Sequence, residues 1–321
     1  MEVINLTAIT EDTVACRDAF GEELVNFAKK NKKVVALDAD LASSTRLAKF
    51  QSEFPDRFFQ IGVAEQNMIG VAAGLAIKDK IPVCATFATF ISRRACDQVA
   101  MSVAHSNLNV KLVGAYSGLV SGNNGATHQA IEDIAIMRAI PNMTIVEPAD
   151  DIEMRSALPK LLNYEGPVYL RVTRDIWPRV NSSNYNFVLG RSVKIKEGKD
   201  ISLMASGMMV SQCMKAAELL AKENIEAEII NIPTIKPIDG EIILESAKKT
   251  GAVVVAENHN IIGGLGSAVS KILSENYPVF IERVGLEDCY GECGSNKDLL
   301  VKYDMDYEAI FKKSKKVLEK C

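Results

Sequence analysis

Few residues of this sequence are placed to do chemistry, and three short segments hold most of them. The first is Gly62-Val63-Ala64-Glu65-Gln66-Asn67-Met68, which follows a β-type run and opens an apolar helical pattern. Glu65 is a first-turn carboxylate there, a position the positive end of a helix dipole favours. The group is either a charge that stabilises the helix end or an acid–base residue. The second segment is Ala85-Thr86-Phe87-Ala88-Thr89-Phe90, at the end of another β-type run. Ligand sites of α/β folds lie at such strand ends. Phe87 and Phe90 either pack a core or form a shelf for a flat ring. The third is Ser121-Gly122-Asn123-Asn124-Gly125-Ala126-Thr127-His128-Gln129. Its glycines and asparagines permit a tight turn with left-handed residues, and Thr127 or its neighbour is placed to cap the next helix. The chain has 3 histidines, His105, His128 and His259. His128 beside the glycine-rich loop is better placed for proton transfer than His105, which reads as a helix-end cap or dipole partner. His259, in Glu257-Asn258-His259, fits either role.

Other chemistries find no motif. HExxH, DxDxDG, GxxxxGK[ST] and GxSxG are all absent. Gly263-Gly264-Leu265-Gly266-Ser267 is superficially like a phosphate loop, but it lacks the GxGxxG layout and reads as tight strand-to-helix packing. The 7 cysteines are odd in number and form no CxxC, which argues against a disulfide framework or a zinc ribbon. A reduced, cytoplasmic compartment is the expectation.

The elements that must position these residues follow from periodicity. Short β-type runs are expected at Val34–Leu37, Phe58–Ile61, Val83–Thr86, Val110–Ala115, Thr144–Val146 and Val168–Arg171. Helical patterns at Thr13–Ala28, Glu65–Ile77, Arg93–His105 and Ala130–Ala139 alternate with them. The fold class is therefore α/β, with a mostly parallel sheet flanked by helices. The near-continuous apolar strands fit a sheet covered on both faces. Asp175 to Leu189 contains Pro178 and the polar run Asn181-Ser182-Ser183-Asn184, and it reads as a linker. A second, smaller α/β set comes after it. Its strands are expected at Ile201–Ala205, Ala227–Ile232, Ala252–Glu257 and Val279–Val284, with helices at Val210–Lys222, Gly240–Lys249 and Gly264–Leu273. The expected domains are 1–180 and 190–321, with the linker 175–189 overlapping the end of the first.

With 321 residues, 48% hydrophobic and a net charge of −4, the composition excludes global disorder and gives no support for nucleic-acid binding. No apolar run reaches the ~18 residues a bilayer span needs, and Met1 to Asp12 lacks a signal-peptide layout. Lys29-Lys30-Asn31-Lys32-Lys33 and Lys312-Lys313-Ser314-Lys315-Lys316 read as solvated helix ends.

Taken in order and spacing, these segments resemble the C-terminal half of transketolase. The matching stretches are Asp38-Ala39-Asp40-Leu41-Ala42-Ser43-Ser44-Thr45, Gly62–Met68, Thr86–Phe90, Gly125–Gln129 and Val172-Thr173-Arg174. The resemblance implies a pyrimidine-binding domain, then a transketolase C-terminal domain. It also implies thiamine diphosphate as cofactor and transfer of a two-carbon ketol unit from a ketose phosphate to an aldose phosphate, as in the pentose phosphate pathway. By that analogy Glu65 hydrogen-bonds the aminopyrimidine of the cofactor, Phe87 and Phe90 surround that ring, and Asp40 lies near it. His128 matches a histidine beside the reacting oxygens. Arg17, Ser44 and Arg174 match a substrate-phosphate site, for which two planar guanidiniums and a hydroxyl are suited.

The family also requires a pyrophosphate-binding domain whose GDG motif and downstream Asn hold a divalent ion, and no GDG occurs in this sequence. The resemblance therefore implies the C-terminal subunit of a split transketolase. Its Mg2+ or Ca2+ ligands lie on a partner N-terminal subunit in a two-plus-two heterotetramer, and the chain alone is expected to form a homodimer. Phosphorylated sugars are the implied substrates, and neither nucleic acid nor membrane is an implied partner. Three positions depart from the family pattern: Asn124 stands where an Asp is common, Tyr116 where a histidine is common, and Arg93 where a tyrosine is common. Two other thiamine-diphosphate readings stay open. 1-Deoxyxylulose-5-phosphate synthase shares the pattern Arg94-Ala95-Cys96-Asp97-Gln98, and the beta subunit of 2-oxo-acid dehydrogenases has a similar length. A non-catalytic regulatory subunit is the third alternative.

Overall fold

Strands that are apolar on both faces can only be satisfied between two layers of helices, and the chain builds two such sheets. The computed structural model describes residue 10 and residues 12–321. Most of the N-terminal segment read above for a targeting signal lies outside the described residues. The first part runs α1 (Cys16–Lys30), β1 (Val34–Asp38), α2 (Ala42–Thr45), α3 (Leu47–Glu53), β2 (Phe58–Gln60), α4 (Glu65–Ile77) and β3 (Ile81–Phe87). Two π-helical turns, Phe90–Arg94 and Val99–Ala104, then flank α5 (Cys96–Gln98). β4 (Lys111–Ala115), α6 (Asp133–Ala139), β5 (Thr144–Val146), α7 (Asp151–Asn163) and β6 (Val168–Val172) complete this part. The second part runs β7 (Val193–Lys196), β8 (Ile201–Ala205), α8 (Met209–Lys222), β9 (Ala227–Asn231), β10 (Thr234–Lys236), α9 (Gly240–Thr250) and β11 (Ala252–Asn260). It ends with α10 (Leu265–Asn276), β12 (Phe280–Leu286), α11 (Asn296–Lys302) and α12 (Tyr307–Leu318).

The larger sheet has the order β10-β5-β6-β4-β3-β1-β2 and the smaller β12-β11-β8-β9-β7. All pairs are parallel except β10 with β5 and β7 with β9. β1, β3, β4 and β6 are buried along their whole length, as the apolar runs implied. β10 comes from the second half of the chain but completes the first sheet, so one backbone ladder already joins the two parts.

Three elements differ from the sequence reading. The stretch expected as one helix over Arg93–His105 contains the two widened turns, with i to i−5 bonds such as Ala95 N–H to Phe90 carbonyl. Each such turn inserts a residue into the spiral and rotates the chain beyond it. α7 is not among the expected helices, and it contains Pro159, a residue that disfavours a helix interior. The helix carries it inside and is anchored at its start by Asp150, whose carboxylate accepts from Glu153 N–H at 2.8 Å. The segment 175–189 has no regular structure but is well anchored. Asp150 also accepts from the backbone N–H of Val180 and Asn181 at 2.7 and 2.8 Å, Arg179 grips Asp151 with two hydrogen bonds, and Phe187 is fully buried.

The two parts meet on a buried polar joint centred on Arg171 of β6. Its side chain is wholly buried and donates to Asp133 from Nε (2.9 Å) and Nη2 (3.1 Å), to Glu147 from Nη1, and to the Asn258 carbonyl of β11 at 2.7 Å. Glu147 in turn accepts from Ser206 of the second part, and Tyr169 donates to Asp133 at 2.6 Å. Burial alone would raise the Asp133 carboxyl, but the charge and hydrogen bonds of Arg171 hold it below its ordinary range. Removing one member of a buried pair leaves the other charge without compensation. Arg171→Met should therefore lower the unfolding free energy by about 3–5 kcal/mol, read from urea denaturation; a loss under about 1 kcal/mol would show the joint to be dispensable.

Candidate active site

In the larger sheet, β2 lies on one side of β1 and β3 on the other. The strand order thus reverses between β1 and β3, and a crevice opens at their carboxyl ends. Most of the candidate residues from the sequence lie around it. Asp40 and Ser44 follow β1, Glu65 follows β2, Phe87 and Phe90 end β3, Tyr116 follows β4 and Arg174 follows β6. Arg17 reaches in from the first turn of α1.

Glu65 is the first residue of α4 and is buried, and its Oε1 accepts from Arg94 at 3.1 Å. Arg94 itself is half-exposed and stacks 3.9 Å over the ring of Phe90. The aromatic groups form a continuous face: Phe87 and Phe90 centroids are 5.7 Å apart, and Phe87 and Tyr116 are 4.3 Å apart. His128 sets its ring nearly edge-on to both phenylalanines, at 5.8 and 5.3 Å. Its Nδ1 is 2.8 Å from the Thr127 hydroxyl. Thr127 is thus engaged with His128 and does not cap α6, whose N-cap is Glu132 with no side-chain hydrogen bond.

Tyr116 joins this face to the cationic side. Arg17 Nη1 donates to its hydroxyl at 2.7 Å, and the guanidiniums of Arg17 and Arg174 lie 5.4 and 5.2 Å from its ring centroid. Arg17 also approaches the Ser44 carbonyl at 3.4 Å. The Nε atoms of both arginines are buried without a hydrogen-bond partner, so donor capacity is left over. Ser44, Phe87, Tyr116, Asn124, His128 and Arg174 line one cavity of about 430 Å³. Arg93 is not among the lining residues; its guanidinium is held by Glu132, on the far side of the widened turn. Asp40 is exposed with φ of 62°, and its N–H donates to Gln60. Neighbouring Asp38 is buried, with its carboxyl raised by burial, and one of its oxygens has no partner.

The remaining candidates lie elsewhere. Glu257 accepts from the N–H groups of Leu265 and Gly266 at 2.6 and 3.1 Å, so the start of α10 is filled by the chain's own carboxylate. Burial pushes that carboxyl up to about 7, and a Cβ at Gly264 would overlap it. The Gly263–Ser267 loop is therefore packing. His259 is buried and neutral, with Nδ1–H facing the Asn260 carbonyl at 2.6 Å and Nε2 accepting from Ala135 N–H at 3.3 Å. It belongs to the joint between the two parts. Among the described residues no group of three or more His, Cys, Asp or Glu is placed to hold a metal ion. No helix among them is long and apolar enough to cross a membrane.

Family models match both parts: "Transketolase, pyrimidine binding domain" over residues 12–179 and "Transketolase, C-terminal domain" over 190–310. The chain belongs to the transketolase family. It is 46% identical to a 6-deoxy-6-sulfo-D-fructose transketolase subunit of a Clostridium strain, covering 95% of this chain and 94% of that protein. It is 35% identical to an apulose-4-phosphate transketolase subunit from Phocaeicola vulgatus, covering 97% and 100%. A solved split-gene transketolase, an inactive β4 tetramer, superposes with a TM-score of 0.89 at 44% identity, covering 95% of this chain and 99% of that one. In this transketolase-family chain, the residues that sequence reasoning missed act across long separations. Arg94 was visible only as part of a pattern, and Glu132, Asn258 and the loop around Gly291–Asn296 carry no local signal.

That last loop backs the His128 turn. A Cβ on Gly125 would come within 2.7 Å of the Cys293 sulfur, and Gly125 has φ 76° and ψ −179°, a region open to glycine alone. Gly125→Ala should cost about 1–3 kcal/mol of stability, measurable as a lowered thermal midpoint; an unchanged midpoint would show that the loop adapts.

Proposed function

We propose that this chain is the pyrimidine-binding subunit of a two-subunit, thiamine-diphosphate-dependent transketolase that moves a two-carbon ketol unit from an anionic ketose to an aldose phosphate. The observation that carries this reading is the meeting, at one sheet edge, of a buried carboxylate, an aromatic face, a histidine and two partly uncommitted guanidiniums. The fit to the cofactor rests on shape and donors. Phe87 and Phe90 offer an apolar face for a flat heteroaromatic ring, and Glu65 is a buried carboxylate close by. When bound, thiamine diphosphate supplies the electron sink that lets a carbon–carbon bond beside a ketone break.

The chain's own residues do the rest. With the cofactor bound, Glu65 would hold a hydrogen bond to the aminopyrimidine ring nitrogen and so bias where the ring carries its proton. Phe87 and Phe90 exclude water from that exchange, with Asp40 at the margin. His128 donates to the oxygen that gains charge as the bond breaks. Arg17, Ser44 and Arg174 hold the substrate's anionic group, with Tyr116 between the guanidiniums and Asn124 facing a sugar hydroxyl. The two relatives named for their sugars act on one sulfonated and one phosphorylated compound, so the anion is a phosphate or a sulfonate.

The diphosphate and its Mg2+ or Ca2+ belong to a partner subunit in a two-plus-two assembly. Val63 before α4, Ile77 at its far end and Met101 in the second widened turn are 70%, 69% and 57% exposed. Such apolar surface marks a site that a partner covers. The chain alone forms a homo-oligomer, and the inactive β4 tetramer of the split-gene relative fits a subunit that needs its partner.

Mixed with that partner, thiamine diphosphate and Mg2+, the chain should convert xylulose 5-phosphate or a sulfonated ketose; robust turnover by this chain alone would falsify the split assignment. Glu65→Gln should lower kcat by about 100-fold or more while leaving assembly intact, and an unchanged kcat removes its role. Arg174→Ala should raise KM for anionic sugars more than for neutral ones; equal effects on both remove the anion assignment.

A further inference from the structure

We infer that the second domain helps to set the anion site through the amide of Asn258, which acts as a positioning residue. The inference rests on the reading of Arg17 and Arg174 as the anion site. Asn258 lies in β11, remote in sequence from every pocket residue, and is 1% exposed. Its Oδ1 accepts from Leu119 N–H at 2.9 Å and its Nδ2 donates to the Ser117 carbonyl at 3.2 Å. One flat amide thus satisfies both sides of the turn that leaves β4. Asn and Gln alone offer a donor and an acceptor in that fork, and Gln is a methylene too long for a space this full. Gly118, between the two anchored residues, has φ 73°, and a Cβ there would overlap the Asn258 amide.

The turn is otherwise held by the same surroundings. Gly118 N–H donates to the Ala130 carbonyl at 3.0 Å, and Ser117 N–H to Val172 of β6 at 3.2 Å. Gln129 is fixed as well: its Nε2 donates to the carbonyls of Leu119 at 3.1 Å and of Glu292 at 3.0 Å. Tyr116 stands one residue before this turn with φ 58°, a left-handed value that a tyrosine holds only where its neighbours impose it. Asn258 imposes it. The consequence is the position of the Tyr116 ring, which spaces the two guanidiniums and accepts from Arg17. Without the amide, the Ser117 carbonyl and Leu119 N–H lose buried partners, the turn relaxes, and the ring leaves its place.

The test uses the assembled complex with cofactor and Mg2+. Two donors are compared: an anionic ketose that the wild type turns over, and neutral erythrulose, with inorganic phosphate as a competitive probe. Asn258→Ala should raise KM for the anionic donor and the inhibition constant for phosphate about tenfold, equivalent to about 1.4 kcal/mol. KM for erythrulose and kcat for both should stay within about twofold. Asn258→Asp keeps the acceptor for Leu119 but sets a carboxylate oxygen against the Ser117 carbonyl; it should show the same split and serves where the alanine variant does not assemble. A merely structural role would change both donors alike, and equal changes, or none, overturn the inference. No turnover of any donor by the wild-type complex overturns the ketol-transfer reading instead.

Discussion

A buried arginine is the constraint from which most of this architecture follows. Arg171 cannot be left without partners in the interior, because an uncompensated buried charge costs several kcal/mol. Its donors demand two carboxylates and two carbonyls, and no single element supplies them. Asp133 comes from the start of α6, Glu147 from the end of β5, one carbonyl from the loop before α6 and the other from β11. Satisfying one guanidinium therefore fixes the exit of β6, the helix after the His128 loop and the second domain relative to each other. Arg174 is the third residue after Arg171 on the same strand exit, so the joint and the pocket share a backbone.

The same coupling explains how a chain of net charge −4 presents a cationic pocket. Arg17 and Arg174 would repel each other at close range, and the carboxylate of Asp175 approaches only Arg174, at 3.8 Å. A tyrosine ring stands between them, 5.4 and 5.2 Å from the two guanidiniums. Its π face attracts both cations, and its hydroxyl accepts from one of them. A histidine at this place would add charge on protonation. Tyr116 instead holds the two cations together through its ring face and its hydroxyl.

Much of the fold was legible because it depends on period and run length. The buried parallel strands announced themselves, and α4 begins and ends where its apolar pattern does, at Glu65 and Ile77. Glu65, Phe87 and Phe90 were legible as candidates because they follow or end β-type runs, and His128 because it lies beside a glycine-rich loop. Other features depend on contacts that no local window contains. α7 carries Pro159 inside it, and its packing against α1 lies outside any local window of the sequence. The π turns around α5 leave no signature in residue type, yet they send Arg94 to Glu65 and Arg93 to Glu132. The interval 175–189 looked like a loose linker, because its polar residues give no hint that Asp150 and Asp151 grip it.

The division of labour between domains follows from where each hydrogen bond ends. The cationic side is internal to this chain: Arg17 reaches Ser44 and Tyr116, Arg174 faces the same Tyr116 ring, and the turn behind them is tied to Asn258. The aromatic side is open, with Arg94 half-exposed beside Glu65 and apolar surface around α4. A cationic pocket complete within this chain, beside an open aromatic face, is what the proposed assembly requires of one subunit. In that proposed assembly the partner would add the wall that buries the cofactor, while the spacing of the guanidiniums is already set within this chain. On this view the second domain is part of the site at one remove, since it fixes the geometry of the pocket without contributing a side chain to its lining.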